Sequence, residues 1–324
     1  MDPQGPEART SDMSAAGRLI ASISAASVAA VLAPAAASGD GLPAVGIDAR
    51  PLSAPAGKVE YTTQRGGSGH TRLVERARYG GLLRERRLRG AFSIPAVAYD
   101  GSPAGLSADG RTLVLISPRT RYPRKVTTFA VVDARRLAVR RVIRLRGDFS
   151  FDAISPDGRT MYLIEYSPRD FTNYAVRAYD MRTSRLLSRP VVDPDEAGEP
   201  MTGVPVSRTT GADGRWAYTL YQSVEHPFVH ALDTQRRTAV CIDLDDLNAV
   251  WNATLELRGE RLEVVRRSGR VLAAIDLRTH RLVRSDSPDQ SGAGTPWLPI
   301  ALSGGAVALL AALGRRRRPA ARTA

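Results

Sequence analysis

The chain has 324 residues, 43% of them hydrophobic, a formal charge of +13 and one cysteine, Cys241. That apolar content excludes a disordered polyelectrolyte, and a lone cysteine excludes an intrachain disulfide, so the fold rests on a buried core. Of the 46 basic residues only Lys58 and Lys125 are lysines. The arginine excess reads either as composition spread over solvated faces or as attraction to anions such as wall polymers or lipid headgroups. No basic cluster alternates with aromatics as a single-strand nucleic-acid platform requires, so no nucleic-acid partner is expected.

Residues 1–37 read as a secretory signal. Leu19 to Gly39 carries no charge, and Ala35-Ala36-Ala37 before Ser38 has the small-residue pattern of a signal-peptidase site. Met13 is an alternative start that leaves a short basic lead ending at Arg18. Residues 38–57, rich in Pro, Gly and Ala, read as a linker. Lys58–Thr63, Thr71–Arg78 and Leu82–Leu88 then form a three-stranded unit, with the turn Gly66-Gly67-Ser68-Gly69 between the first two and Arg84, Arg86, Arg87 and Arg89 on the third.

A repeat follows. Ser107-Ala108-Asp109-Gly110-Arg111-Thr112 returns as Ser155-Pro156-Asp157-Gly158-Arg159-Thr160, and in a worn form as Gly211-Ala212-Asp213-Gly214-Arg215-Trp216. Asp-Gly between apolar runs is a hairpin signal: Gly110, Gly158 and Gly214 take the positive φ, and Asp109, Asp157 and Asp213 bond to the backbone ahead. A second piece, an apolar run ending in Asp, recurs at Phe129–Asp133, Val176–Asp180, Val229–Asp233 and Leu272–Asp276. Each unit reads strand, Asp-Gly turn, strand, longer loop, strand, Asp turn, strand. The units span 91–145, 146–192, 200–244 and 250–283, a period that marks propeller blades. The Ser-Pro-Asp-Gly-Arg-Thr run and the terminal Asp positions resemble the repeats of TolB-like and YVTN-type β-propellers, over residues of about 100 to 285. The resemblance implies an all-β propeller of about five four-stranded blades over 58–284, and says little about activity, because propellers host unrelated functions.

Residues 285–295 are a polar linker. Trp297 to Leu313 is an uncharged apolar stretch of 17 residues, and Arg315, Arg316, Arg317 and Arg318 follow it. Residues 296–314 therefore read as a single transmembrane helix with Trp297 at the interface and residues 315–324 as a basic cytoplasmic tail. The expected location is the cell membrane, with the propeller outside and a protein or cell-envelope partner. Leu298-Pro299-Ile300-Ala301-Leu302 lacks the Thr-Gly that covalent wall attachment needs.

The chain has no Gly-x-Ser-x-Gly elbow, and the repeated Asp109, Asp157 and Asp213 belong to different blades. A binding or scaffold module with no cofactor is therefore expected, rather than an enzyme. The contact candidates lie in loops 117–125, 166–174 and 193–203, with Tyr122, Tyr166, Phe171 and Tyr174 as anchors or, equally, as core. The alternative is a lactonase-like hydrolase with a metal in the central channel, where the innermost strands offer Asp152 and little else. Asp193, Asp195, Glu196 and Glu199 form one acidic cluster and Asp243, Asp245 and Asp246 another; either could hold Ca²⁺, but the spacing matches no EF-hand loop. His226 and His230, with Pro227 between them, are expected to be surface histidines.

Overall fold

The computed structural model describes residues 49–66, 69–168, 173–198 and 201–283. The signal, the apolar stretch at 297–313, Arg315 to Arg318, Phe171 and Glu199 lie outside those residues. Among the described residues, no helix is long and apolar enough to cross a membrane.

Strands pair antiparallel in chain order, in four sheets of four strands and one of three. The first holds β1 (Leu52–Ser53), β2 (Val59–Gly66), β3 (His70–Ala77) and β4 (Leu82–Arg89). The second holds β5 (Thr112–Ile116), β6 (Val126–Asp133) and β7 (Ala138–Arg146). The third holds β8 (Phe149–Ile154), β9 (Thr160–Tyr166), β10 (Tyr174–Asp180) and β11 (Arg185–Val191). The fourth holds β12 (Val204–Thr210), β13 (Trp216–Gln222), β14 (Phe228–Asp233) and β15 (Thr238–Asp243). The fifth holds β16 (Ala253–Arg258), β17 (Arg261–Arg266), β18 (Val271–Asp276) and β19 (Arg281–Val283). These are five propeller blades, and the four-stranded ones run from innermost strand to outermost. The first begins at Leu52, inside the stretch expected to be linker.

The repeat explains its own hairpins. In the second blade Ser107 Oγ donates to Asp109 Oδ1 at 2.6 Å and accepts from Thr112 N at 3.0 Å, while Asp109 Oδ1 accepts from Arg111 N at 3.0 Å. Ser155, Asp157, Arg159 and Thr160 repeat those bonds in the third blade. Gly211 in the fourth has no hydroxyl to give, yet Asp213 still accepts from Arg215 N at 3.0 Å. Gly158 sits at φ +70°, and a Cβ there would meet Thr112 Oγ1 of the preceding blade at 2.6 Å. Glycine thus serves both the left-handed turn and the close approach of blades. The turns themselves touch, with Asp109 N donating to Pro156 O at 3.1 Å, while each carboxylate stays bonded within its own turn.

The second recurring Asp has an equivalent role. Asp180 Oδ1 accepts from the backbone N of Arg182 and Thr183, and Asp276 Oδ1 accepts from those of Arg278 and Thr279. The fourth residue after each Asp — Leu137, Ser184, Arg237 and His280 — takes positive φ.

Blades pack through apolar faces. Leu73, Leu88, Leu113, Leu115 and Val132 join the first to the second, and Phe129, Ile143, Phe149, Phe151 and Leu163 join the second to the third. Tyr162, Val176, Tyr221 and Leu232 join the third to the fourth, and Leu220, Val229, Leu255 and Val264 join the fourth to the fifth.

The second blade departs from expectation. In place of a continuous innermost strand it has isolated bridges, Ser93↔Ile116 and Leu106↔Leu113, and the residues between them fold into a hairpin closed at Ala96↔Pro103. Tyr99 N donates to Pro205 O at 2.9 Å and Asp100 N to Val206 O at 3.2 Å, both on β12. Ser102 Oγ donates to Arg208 O at 3.2 Å on the same strand. The second and fourth blades are not adjacent in chain order, so this hairpin reaches past the third blade to bond with the fourth. Ala96 and Ala98 are fully buried there.

Candidate functional site

The loops after β5, β9 and β11 leave from one end of the blades, because antiparallel order alternates the ends at which connections emerge. The structure brings them together. Tyr122 Oη donates to Ser167 O at 2.6 Å, tying the first loop to the second, and Tyr174 N donates to Met201 O of the third at 3.4 Å.

Tyr122, Tyr166 and Tyr174, three of the four expected anchors, form one run of rings. Tyr122 and Tyr166 meet edge to face at 6.3 Å, Tyr166 and Tyr174 at 6.1 Å, and the run continues to Tyr221 at 6.1 Å and Phe228 at 5.0 Å. Tyr166 and Tyr174 are buried, at 6% and 9% exposure, and Tyr122 is half-buried. The first two therefore pack between blades, and Tyr122 is the ring that also reaches the surface. Burial pushes the phenols of Tyr166, Tyr174 and Tyr221 well above their ordinary range.

Tyr122 and Tyr166 line an open cleft of about 630 Å³ with Arg121, Arg124, Lys125 and Glu165. Its floor is an ion cluster that the sequence did not single out. Asp148 accepts from buried Arg119 at 2.5 Å and from Arg124 Nε at 3.2 Å and backbone N at 2.7 Å. The Arg119 guanidinium lies 5.2 Å from the centre of the Tyr166 ring, within cation–π range. A buried carboxylate held by two guanidinium groups keeps both arginines rigid. Arg121 and Lys125, exposed at the rim, give the opening a positive edge.

A second polar row runs between the third and fourth blades. Arg208, Thr219, His230 and Cys241 are cross-strand partners on β12 to β15, and so share one face. Arg208 donates to Asp152 Oδ1 at 2.6 Å and to Thr219 Oγ1 at 2.9 Å. Asp152, the one acid expected on the innermost strands, is thus consumed by an ion pair. His230 is 2% exposed, not a surface histidine as expected, because its strand is covered by the third blade. Burial, opposed by Asp152, lowers its pKa from 6.5 to about 4, which leaves the ring neutral at physiological pH. His226 stays at the surface, its Nε2 3.0 Å from Asp243 Oδ1.

Of the acidic candidates, Asp193 and Glu196 come within 4.8 Å of Cys241. Asp193 caps the short turn Pro194–Glu196 by accepting from Asp195 N at 3.0 Å, and it accepts from Cys241 N at 2.7 Å. Burial, then Glu196, pushes the Cys241 thiol up, so it carries its proton. The arrangement is accounted for as a cap that seats the loop on β15. Asp195 is exposed at the tip.

No protein-family model matches the chain, and no curated protein matches it in sequence. Among solved structures it is similar to TolB from Acinetobacter baumannii, at 16% identity and TM-score 0.36 over 60% of this chain and 43% of that one. It is also similar to the Cps50 (Swd1) β-propeller domain of Myceliophteria thermophila, at 14% identity and TM-score 0.43 over 78% of this chain and 70% of that one. A third is the dihydro-heme d1 dehydrogenase NirN, at 14% identity and TM-score 0.42 over 73% of this chain and 46% of that one. The chain thus spans less than half of the TolB structure. At such values the propeller architecture rests on the strand order and register described above.

Proposed function

We propose that this protein is a binding or scaffold module that receives its partner at the loop end of the propeller, and that it does so outside the cell, moored to the membrane by residues 296–314. The observation that supports this most is the cleft at Tyr122. It joins a half-buried aromatic ring and exposed cations to a floor made rigid by Asp148, Arg119 and Arg124. Rigid anchors bordered by charge are what a recognition surface needs. The hydrolase alternative finds less support. The hairpin at 95–104 bonds to β12 of the fourth blade, and Asp152, the one acid that a channel metal could use, is bonded to Arg208.

The mooring is supported by the apolar stretch with its terminal arginines and by the uncharged N-terminal segment. The partner fitting the cleft is an acidic segment of a protein or envelope polymer, because Arg121 and Lys125 border its mouth. The test is cross-linking in intact membranes with full-length protein carrying a photoreactive residue at Thr120. A product lost in a Tyr122→Ala, Lys125→Glu double variant supports the reading. A product unchanged by that variant overturns the cleft, and release of the protein by alkaline carbonate overturns the mooring.

A further inference from the structure

The chain's positive charge is not spread evenly over the outer strands of its blades. β4 reads Leu-Leu-Arg-Glu-Arg-Arg-Leu-Arg and β7 reads Ala-Val-Arg-Arg-Val-Ile-Arg-Leu-Arg. β11 has Arg185 and Arg189, β15 has no arginine and ends in Asp243, and β19 has Arg281 alone. Composition alone would treat the outer strands alike. The two arginine-rich strands belong to neighbouring blades, and Arg84 of β4, paired with Glu75 of β3, donates to Arg135 O in the turn that leads into β7.

Register shows how the side chains are disposed. Leu88 faces the second blade, and Arg84 and Arg86 share its side of the strand. On β7, Ile143 faces the third blade, so Val142, Arg144 and Arg146 face back toward the first. Arg86, Arg144 and Arg146 are exposed. Exposed apolar side chains lie on or beside the same two strands, with Leu82 51% exposed, Leu83 52%, Val142 49% and Tyr79 92%, although Val224 and Trp251 are exposed on the fourth and fifth blades.

We propose that this rim, β4 with β7, is a docking surface for an anionic lipid bilayer. Guanidinium groups bind phosphodiesters through paired N–H donors, and small apolar side chains set among them enter the headgroup boundary. Both requirements are met by one stretch of surface. The two strands run for roughly 25–30 Å at about 3.3 Å per residue, which suits an extended and fluid surface. A nucleic acid would want stacking rings among the arginines, and Tyr79 is the single aromatic here. The proposal rests on the moored reading for the presence of a bilayer, and on the rim's own side chains for the choice of lipid.

The test uses full-length protein with vesicles of phosphatidylcholine, alone or mixed with phosphatidylglycerol. It reads flotation and peptide-level hydrogen exchange. The expected result is slowed exchange at 79–89 and 138–146 with the anionic vesicles only. That protection should fade at about 1 M salt, where the Debye length falls to about 3 Å. It should also be absent from an R86E/R144E/R146E variant that keeps the wild-type melting temperature. Flotation on both vesicle types with equal exchange at the rim overturns the proposal and leaves the mooring intact. If phosphatidylcholine vesicles fail to float the protein, the mooring is wrong. The rim then still predicts flotation on anionic vesicles that the triple variant loses, and flotation retained by that variant overturns it. Equal rim protection by soluble polyphosphate or duplex DNA assigns the surface to soluble polyanions instead.

Discussion

The second blade meets the third through Phe129, Ile143, Phe149, Phe151 and Leu163, whereas the third meets the fourth through Tyr162, Tyr166, Tyr174 and Tyr221 with Asp152, Arg208, Thr219 and His230 among them. Both interfaces are made by the same strand positions and the same turns. The first closes its strand faces by dispersion and the exclusion of water, with its ion pair, Arg119 and Asp148, carried by the loops after β5 and β7. The other carries ionisable groups whose burial is tolerated only while each has a partner. The difference teaches that the repeat sets spacing between blades and leaves each interface free to specialise.

The largest effects should separate the two interfaces by mechanism. Phe129→Ala opens a cavity in the apolar interface and should cost about 3–5 kcal/mol in urea denaturation. Arg208→Ala should cost a similar ~3–5 kcal/mol for a different reason, an unpaired buried Asp152. The distinction appears in the double variant: Asp152→Leu with Arg208→Met should recover most of the loss, while no second change rescues Phe129→Ala in that way. If the double variant is as unstable as Arg208→Ala, the ion pair is not what the polar interface depends on.

Next in size is Gly158→Ala. Its positive φ and the 2.6 Å approach to Thr112 Oγ1 both oppose a Cβ. A loss of roughly 1–3 kcal/mol is expected for a strained backbone position. Gly259 has φ +60° with nothing near its Cβ position, so Gly259→Ala isolates the backbone contribution. Equal losses at the two sites would remove the close approach between blades from the account.

The polar interface should also be the acid-sensitive one. His230 binds its proton at about pH 4 when folded, against 6.5 unfolded. The unfolded chain therefore holds more protons between those values, and stability falls as pH drops through that window. His230→Gln should flatten the slope, measured as urea midpoint against pH, and Phe129→Ala should leave it unchanged.

The smallest contrast lies between two tyrosines of the same interface. Tyr162 Oη donates to Thr234 O at 2.7 Å, while among the described residues Tyr174 Oη is buried with only the Tyr221 hydroxyl near it and no bond of good geometry. Tyr162→Phe should cost about 1 kcal/mol and Tyr174→Phe less, because a buried hydroxyl without a well-aligned partner contributes little net stability. A loss at Tyr174→Phe equal to that at Tyr162→Phe would mean that the Tyr174 hydroxyl is fully bonded, by Tyr221 or by a water or ligand.

Residues such as Ser155, Asp157, Gly158 and Thr160 declare their roles in the primary structure, since every bond they make inside the turn closes within five positions. Short-range chemistry of that kind, repeated at a blade's period, was enough to give most of the strands, their order and a count of about five blades, though not β1 or the broken first strand of the second blade. The hairpin at 95–104 was not legible, because nothing in its composition says that it will cross to β12. Nor was Arg119 with Asp148, or Arg208 with Asp152: these partners lie 29 and 56 residues apart in an arginine-rich chain. Which arginine is buried, and which tyrosine spans an interface instead of a surface, was decided when the blades closed on one another. A pair distant along the chain has no local pattern to announce it, and its energy depends on the low-dielectric surroundings that packing alone creates.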